Sequence, residues 1–128
     1  MNENAHPEIR FGTDGWRAVI ADTYTFKNVA ILSQAVAEWI NRDLVTIPNE
    51  KRRVAVGFDT RFMSEEFAQI VACVLAQNDL DVLLSRGPIP TPALSYGVPR
   101  NKCLAGVMIT ASHNPYKFNG FKIKNAQG

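Results

Sequence analysis

Apolar positions along the chain recur with two different periods. Phe26, Val29, Ala30, Ser33, Val36, Ala37 and Ile40 fall at three- and four-residue intervals, the spacing of one helix face. Thr25 stands where a side-chain oxygen caps such a run, so the pattern predicts a helix over 25–41. Ile31, Leu32, Ala35 and Trp39 widen the apolar surface and predict cover on more than one side. A second helix is predicted after 63, with Ser64 as its cap. Glu65 and Glu66 stand in its first turn, where the dipole favours negative charge, and Phe67, Ile70, Val71, Val74 and Leu75 form its inner face. Short apolar runs at 53–58, 81–85 and 104–109 read as strands, and 121–124 begins another. Residues 9–20 read as an extended segment interrupted by Gly12-Thr13-Asp14-Gly15. Pro48 and Asn49 mark a linker over 44–52. Thr91-Pro92 opens a short helix with proline at its first position. Asn119-Gly120 is a tight-turn signal that would fold the last strand back beside 104–109.

This order, β-α-β-α-β-α-β-β, implies an α/β fold: a mixed, largely parallel sheet layered with helices. The near-continuous apolar strands suggest a largely parallel or mixed sheet. The 128 residues make about one domain, and a net charge of +2 is too small to imply a nucleic-acid or membrane partner. No apolar stretch approaches the roughly 20 residues of a membrane span. The polar start, with Glu3 and Glu8, does not read as a signal peptide, so a cytoplasmic location is expected. The two cysteines, Cys73 and Cys103, read as buried free thiols. The sequence stops directly after a strand, so residues 1–128 are expected to be one domain cut short at its C-terminal end.

Chemistry concentrates in three segments. Thr110-Ala111-Ser112-His113-Asn114-Pro115 follows the 104–109 strand. A serine there lies beyond a strand's carboxyl end, where open α/β sheets place their ligands. Asn-Pro keeps the loop from running on into a helix. Ser112 is therefore expected on a tight exposed loop, able to attack a substrate or carry a phosphoryl group. His113 reads as a residue that orders the loop, and Asn114 as one that braces it. The Gly-x-Ser-x-Gly elbow of serine hydrolases is missing. In Phe11-Gly12-Thr13-Asp14-Gly15-Trp16-Arg17 the glycines permit close backbone approach, and Arg17 offers a fork suited to phosphate or is simply a surface arginine of a turn. In the third segment, 116–124, Lys122 and Lys124 share a strand face opposite Phe121 and Ile123. Lys122 beside Ser112 would favour a phosphorylated serine or move a proton; the alternative is a solvated basic face. Asp14, Asp59, Asp79 and Asp81 are scattered and show no metal-loop spacing.

At these residues the sequence resembles the α-D-phosphohexomutases, the family of phosphoglucomutases and phosphomannomutases. The resemblance rests on Phe11 to Arg17, on the Ser112 loop and on Asn119-Gly120-Phe121-Lys122. Gly57-Phe58-Asp59-Thr60-Arg61 and Thr91-Pro92 add weaker agreement in the right order. It implies an isomerase that moves phosphate between C1 and C6 of a hexose phosphate, glucose or mannose by preference, through a bisphosphorylated sugar. Ser112 would carry the phosphoryl group, Lys122 would transfer protons, Arg17 would stabilise charge, and His113 would assist. Mg²⁺ would bind a phosphoserine oxygen on Ser112, with its other ligands in further domains of a longer chain. Ala18 departs from the family's usual glycine. Because the metal and sugar-recognition loops are missing here, this chain alone is expected to be inactive. The competing class is a nucleic-acid-binding module, suggested by the interleaved aromatics and lysines of 116–124.

Overall fold

The structure is a computed structural model and describes residues 9–46 and 51–128. The linker residues Pro48 and Asn49 lie outside the described residues. Five strands among the described residues form one sheet: β1 (Trp16–Val19), β2 (Arg53–Phe58), β3 (Asp81–Leu84), β4 (Ala105–Ile109) and β5 (Phe118–Lys124). Their order across the sheet is β1-β5-β4-β2-β3. β3, β2 and β4 run parallel, whereas β5 and β1 pair antiparallel. Three α-helices are interspersed among the same residues: α1 (Phe26–Trp39), α2 (Ser64–Gln77) and α3 (Thr91–Arg100).

The main core joins α1 and α2 to one sheet face. It contains Val29, Val36, Phe67, Val71 and Leu75 from the helices and Val54, Val56, Phe58, Val107, Ile109 and Phe121 from the strands. α3 covers the other face, where Leu94 and Val98 meet Ala55 and Met108. Burial on both faces is why β2 and β4 are apolar at nearly every position rather than at alternate ones.

Thr25 caps α1 as its position predicts, its hydroxyl oxygen accepting the Asn28 N–H at 3.2 Å. The apolar flank of α1 is covered only in part: Leu32 is buried in the core and Trp39 packs against it, whereas Ile31 remains 40% exposed and Ala35 is exposed. The chain then leaves α1 through a π-helical turn, Ile40–Leu44.

Three expectations are corrected. Ser64 is the first helical residue of α2 and not its cap; the cap position is Met63, in the left-handed region at φ 58°. The Ser64 hydroxyl is instead drawn to Asp59, donating to its Oδ1 at 2.7 Å. Cys73 is exposed, on the outer side of α2 with Gln69 and Ala76, and only Cys103 is buried. Burial pushes the Cys103 thiol pKa up. Asn119-Gly120 is not a turn: both residues lie inside β5, opposite Ala18 and Arg17 of β1. The reversal from β4 to β5 is made by residues 110–117. Two backbone bonds brace it, Asn114 N–H to the Ala111 carbonyl and Phe118 N–H to the Pro115 carbonyl, each at 3.0 Å.

Candidate active site at the carboxyl edge of the sheet

β2 and β4 are parallel neighbours whose register pairs Phe58 with Ile109. The loops that leave their carboxyl ends therefore emerge side by side. The Asp59 N–H donates to the Ile109 carbonyl at 3.1 Å and binds the two loop starts together. Ser112 sits on the second loop, exposed, with φ 55°. Left-handed backbone costs a non-glycine residue roughly 1–2 kcal/mol, so the surrounding contacts must over-determine it. One is local: the Ser112 N–H donates to Thr110 Oγ1 at 3.0 Å. The others come from Arg61 on the first loop, whose Nη2 donates to the Ser112 carbonyl at 2.8 Å and the Asn114 carbonyl at 2.7 Å. The loops flank an open cleft of about 510 Å³, lined by residues that include Asp59, Arg61, Ser112 and Asn114.

Arg17 reaches the same loop from β1. Its Nη1 donates to Asn114 Oδ1 at 2.6 Å, so Asn114 does brace the turn, and Arg17 is its partner. Lys122 is almost buried, and its Nζ donates to Asp14 Oδ2 at 2.6 Å. Arg17 Nη2 approaches the same carboxylate oxygen at 3.5 Å. The hydrogen bond from Lys122 holds the Asp14 carboxyl below its ordinary pKa; slight desolvation works against this, and the Lys122, Arg17 and Lys124 charges add to it. Gly15 makes this arrangement possible. It adopts φ 94°, and a Cβ there would run into the Phe121 carbonyl oxygen and the Lys122 side chain. Thus Arg17, Lys122 and the Ser112 loop are joined through Asn114 and Asp14, while His113 stands exposed beside Ser112.

Arg61 escaped the reading of the sequence as a site residue. Its signal was position: a charged residue in the loop directly beyond a strand's carboxyl end. Only the parallel pairing of β2 with β4 reveals that this loop meets the serine. Of the interleaved residues of 116–124 that suggested RNA stacking, Phe121 is fully buried in the core and Lys122 is 7% exposed, while Tyr116 is exposed.

Among the described residues, no group of three or more His, Cys, Asp or Glu side chains stands together to hold a metal ion. Asp14 and Asp59 are engaged by Lys122 and by Arg61 and Ser64. The described residues therefore do not make up a magnesium site by themselves. No helix among them is long and apolar enough to cross a membrane.

A mixed α/β sheet with a serine presented at its carboxyl edge, between basic side chains, defines the class. Residues 8–128 match the family described as "Phosphoglucomutase/phosphomannomutase, alpha/beta/alpha domain I", and the chain belongs to that family. It is 36% identical to a phosphoglucomutase of Staphylococcus saprophyticus, over 94% of this chain and 21% of that protein. It is 37% identical to a phosphoglucosamine mutase of Caldicellulosiruptor bescii, over 92% of this chain and 25% of the relative. The crystal structure of a Thermus thermophilus protein, named provisionally as a phosphomannomutase, superposes with a TM-score of 0.84 at 42% identity. That match covers 92% of this chain and 26% of the other. The chain thus spans about a fifth to a quarter of the length of these relatives.

Proposed function

We propose that this chain is the phosphoserine-bearing first domain of a sugar-phosphate mutase. The observation that carries the reading is Ser112 itself: an exposed hydroxyl on a braced loop at the carboxyl edge of the sheet, in a chain of this family. In the resting enzyme Ser112 Oγ carries a phosphoryl group. A hydroxyl of a hexose monophosphate attacks that phosphorus, the P–Oγ bond breaks, and the proton released by the sugar passes to Ser112. The bisphosphorylated sugar turns over, Ser112 Oγ attacks its other phosphorus, the bond from that phosphorus to the sugar oxygen breaks, and the Ser112 proton passes to that oxygen, so the phosphate has moved between C1 and C6. Phosphoryl transfer needs positioning and charge neutralisation more than covalent machinery. Arg17 offsets charge beside the loop, Lys122 moves the proton at the transferring oxygen, and His113 assists from its place next to the serine. Mg²⁺ would be held by the phosphate on Ser112 together with groups elsewhere in the longer protein, and would supply charge neutralisation there. Hexose phosphates are the substrate class, and the protein works in the cytoplasm.

Residues 1–128 are one domain of this mutase, and the remaining domains supply metal and sugar ligands. The 128-residue chain mixed with glucose 1-phosphate, Mg²⁺ and a bisphosphate activator is therefore expected to yield no glucose 6-phosphate, while the full-length protein converts it. Ser112-dependent conversion by the short chain would refute the division of labour, and inactivity of the full-length protein on every hexose phosphate would refute the function. Lys122→Ala in the full-length protein is expected to slow turnover by ~10²–10⁴-fold, the range for losing one acid/base group. An unchanged pH–rate profile in that variant would remove Lys122 from proton transfer.

A further inference from the structure

Arg61 lines the cleft beside Ser112, where an arginine would ordinarily be assigned to bind phosphate. Its donors argue otherwise. A guanidinium has five N–H donors. Nη1 donates to the Pro115 and Phe118 carbonyls, both at 3.0 Å. Nη2 donates to the Ser112 and Asn114 carbonyls at 2.8 and 2.7 Å. Nε faces Asp59 Oδ2 at 3.4 Å. The four Nη donors all have acceptors, and all four acceptors are backbone carbonyls of the stretch that presents the serine, while Nε is ion-paired with Asp59. The side chain is 14% exposed.

The guanidinium is anchored from behind. Asp59 Oδ1 accepts the Arg61 backbone N–H at 2.9 Å and the Ser64 hydroxyl at 2.7 Å. The Ser64 Oγ in turn accepts from Asn119 Nδ2 at 2.9 Å. Asp59 is thereby tied to the first turn of α2 and to β5, the strand that follows the serine loop. Arg61 gathers the loop's carbonyls around a plane whose position is fixed by two elements outside the loop. A lysine keeps the charge but has a compact head with three donors, which cannot serve four carbonyls in one plane.

We propose that Arg61 is the positioning residue of the phosphoryl-carrying serine: it holds the 112–118 backbone in the conformation that presents Ser112 and has no Nη donor left for substrate. This rests on the function proposed above. The test uses the full-length protein. Arg61→Lys is expected to lower kcat by about 10²-fold, the cost of a displacement near 1 Å in a reacting group, with KM for the sugar phosphate changed less than about threefold. Backbone amides of 111–118 should exchange with deuterium faster in the variant. In Arg61→Ala, added methylguanidinium should restore part of kcat, and it should restore nothing in Ser112→Ala. The proposal is overturned if Arg61→Lys keeps wild-type kcat, if the loss lies in KM, or if activity merely tracks the unfolded fraction and methylguanidinium does not rescue it. If Ser112 of the wild-type protein carries no phosphate during turnover, the proposed function itself fails and the positioning role goes with it; the wild-type control reads that outcome separately.

Discussion

Ser112→Ala is expected to lower turnover of the full-length mutase by roughly 10⁴–10⁶-fold, the scale on which removal of a covalent nucleophile acts. At about 1.36 kcal/mol per decade this is about 5–8 kcal/mol of barrier. Folding should be unaffected, because the side chain is exposed and the Ser112 contacts to Thr110 and Arg61 are made by its backbone N–H and carbonyl. Alanine keeps both. The variant should therefore show the wild-type unfolding midpoint and bind sugar phosphate, yet not turn it over. Steady-state kinetics beside a urea titration separates the two effects. A fall in rate of only a few-fold would mean that another group carries the phosphoryl.

Gly120→Ala is expected to be strongly destabilising. A Cβ at this position would lie 2.9 Å from the Trp16 carbonyl oxygen and closer still to that of Thr110. Both neighbours are backbone, of β1 and of the start of the serine loop, so neither moves without displacing an element. The Gly120 carbonyl accepts from the Thr110 N–H at 3.0 Å and from the Tyr24 hydroxyl at 2.8 Å, so a shift there breaks further bonds. Overpacking of this kind typically costs ~1–3 kcal/mol, and with no flexible side chain to yield, ~3 kcal/mol or more is expected. The measurement is the urea midpoint at unchanged slope. Gly97→Ala is the control. It lies within α3, and its Cβ would meet only Asn101 Nδ2, at 3.8 Å. There alanine should be neutral or stabilise by roughly 0.5–1 kcal/mol. Similar effects at both glycines would contradict the packing argument.

Gly120 also marks where the sequence was legible and where it was not. The strand at 53–58, the Thr25 cap, the exposed Ser112 and the division of Lys122 and Lys124 from Phe121 and Ile123 all follow from local patterns, and the structure has them. Asn119-Gly120 carries the composition of a hairpin turn, but its glycine answers a different need, close passage of β5 past Thr110. That need arises from residues distant in sequence and has no local signature. Lys122 had two readings, a solvated face or a site residue. Its burial and its partner Asp14, more than a hundred positions away, exclude the solvated face. Ser64 has the composition of a cap, yet Asp59 and Asn119 claim its hydroxyl. Cys73 lies in an apolar run, and its exposure follows from its angular position on α2 rather than from its neighbours in sequence. The partnership of Arg61 with the serine loop depends on which strands pair, and apolar periodicity does not report pairing order. The choice among hexose phosphates is not carried by the features that define this domain: its relatives include proteins named for glucose, glucosamine and mannose phosphates.

The central claim is that Ser112 holds a phosphoryl group in transit. Its most direct test is peptide mass spectrometry on full-length protein quenched during turnover. The peptide carrying Ser112 is expected to gain about 80 daltons, one phosphoryl group, and to lose it to added sugar monophosphate as fast as the enzyme turns over. Steady turnover with Ser112 unmodified, or with the phosphate on another residue, would contradict it.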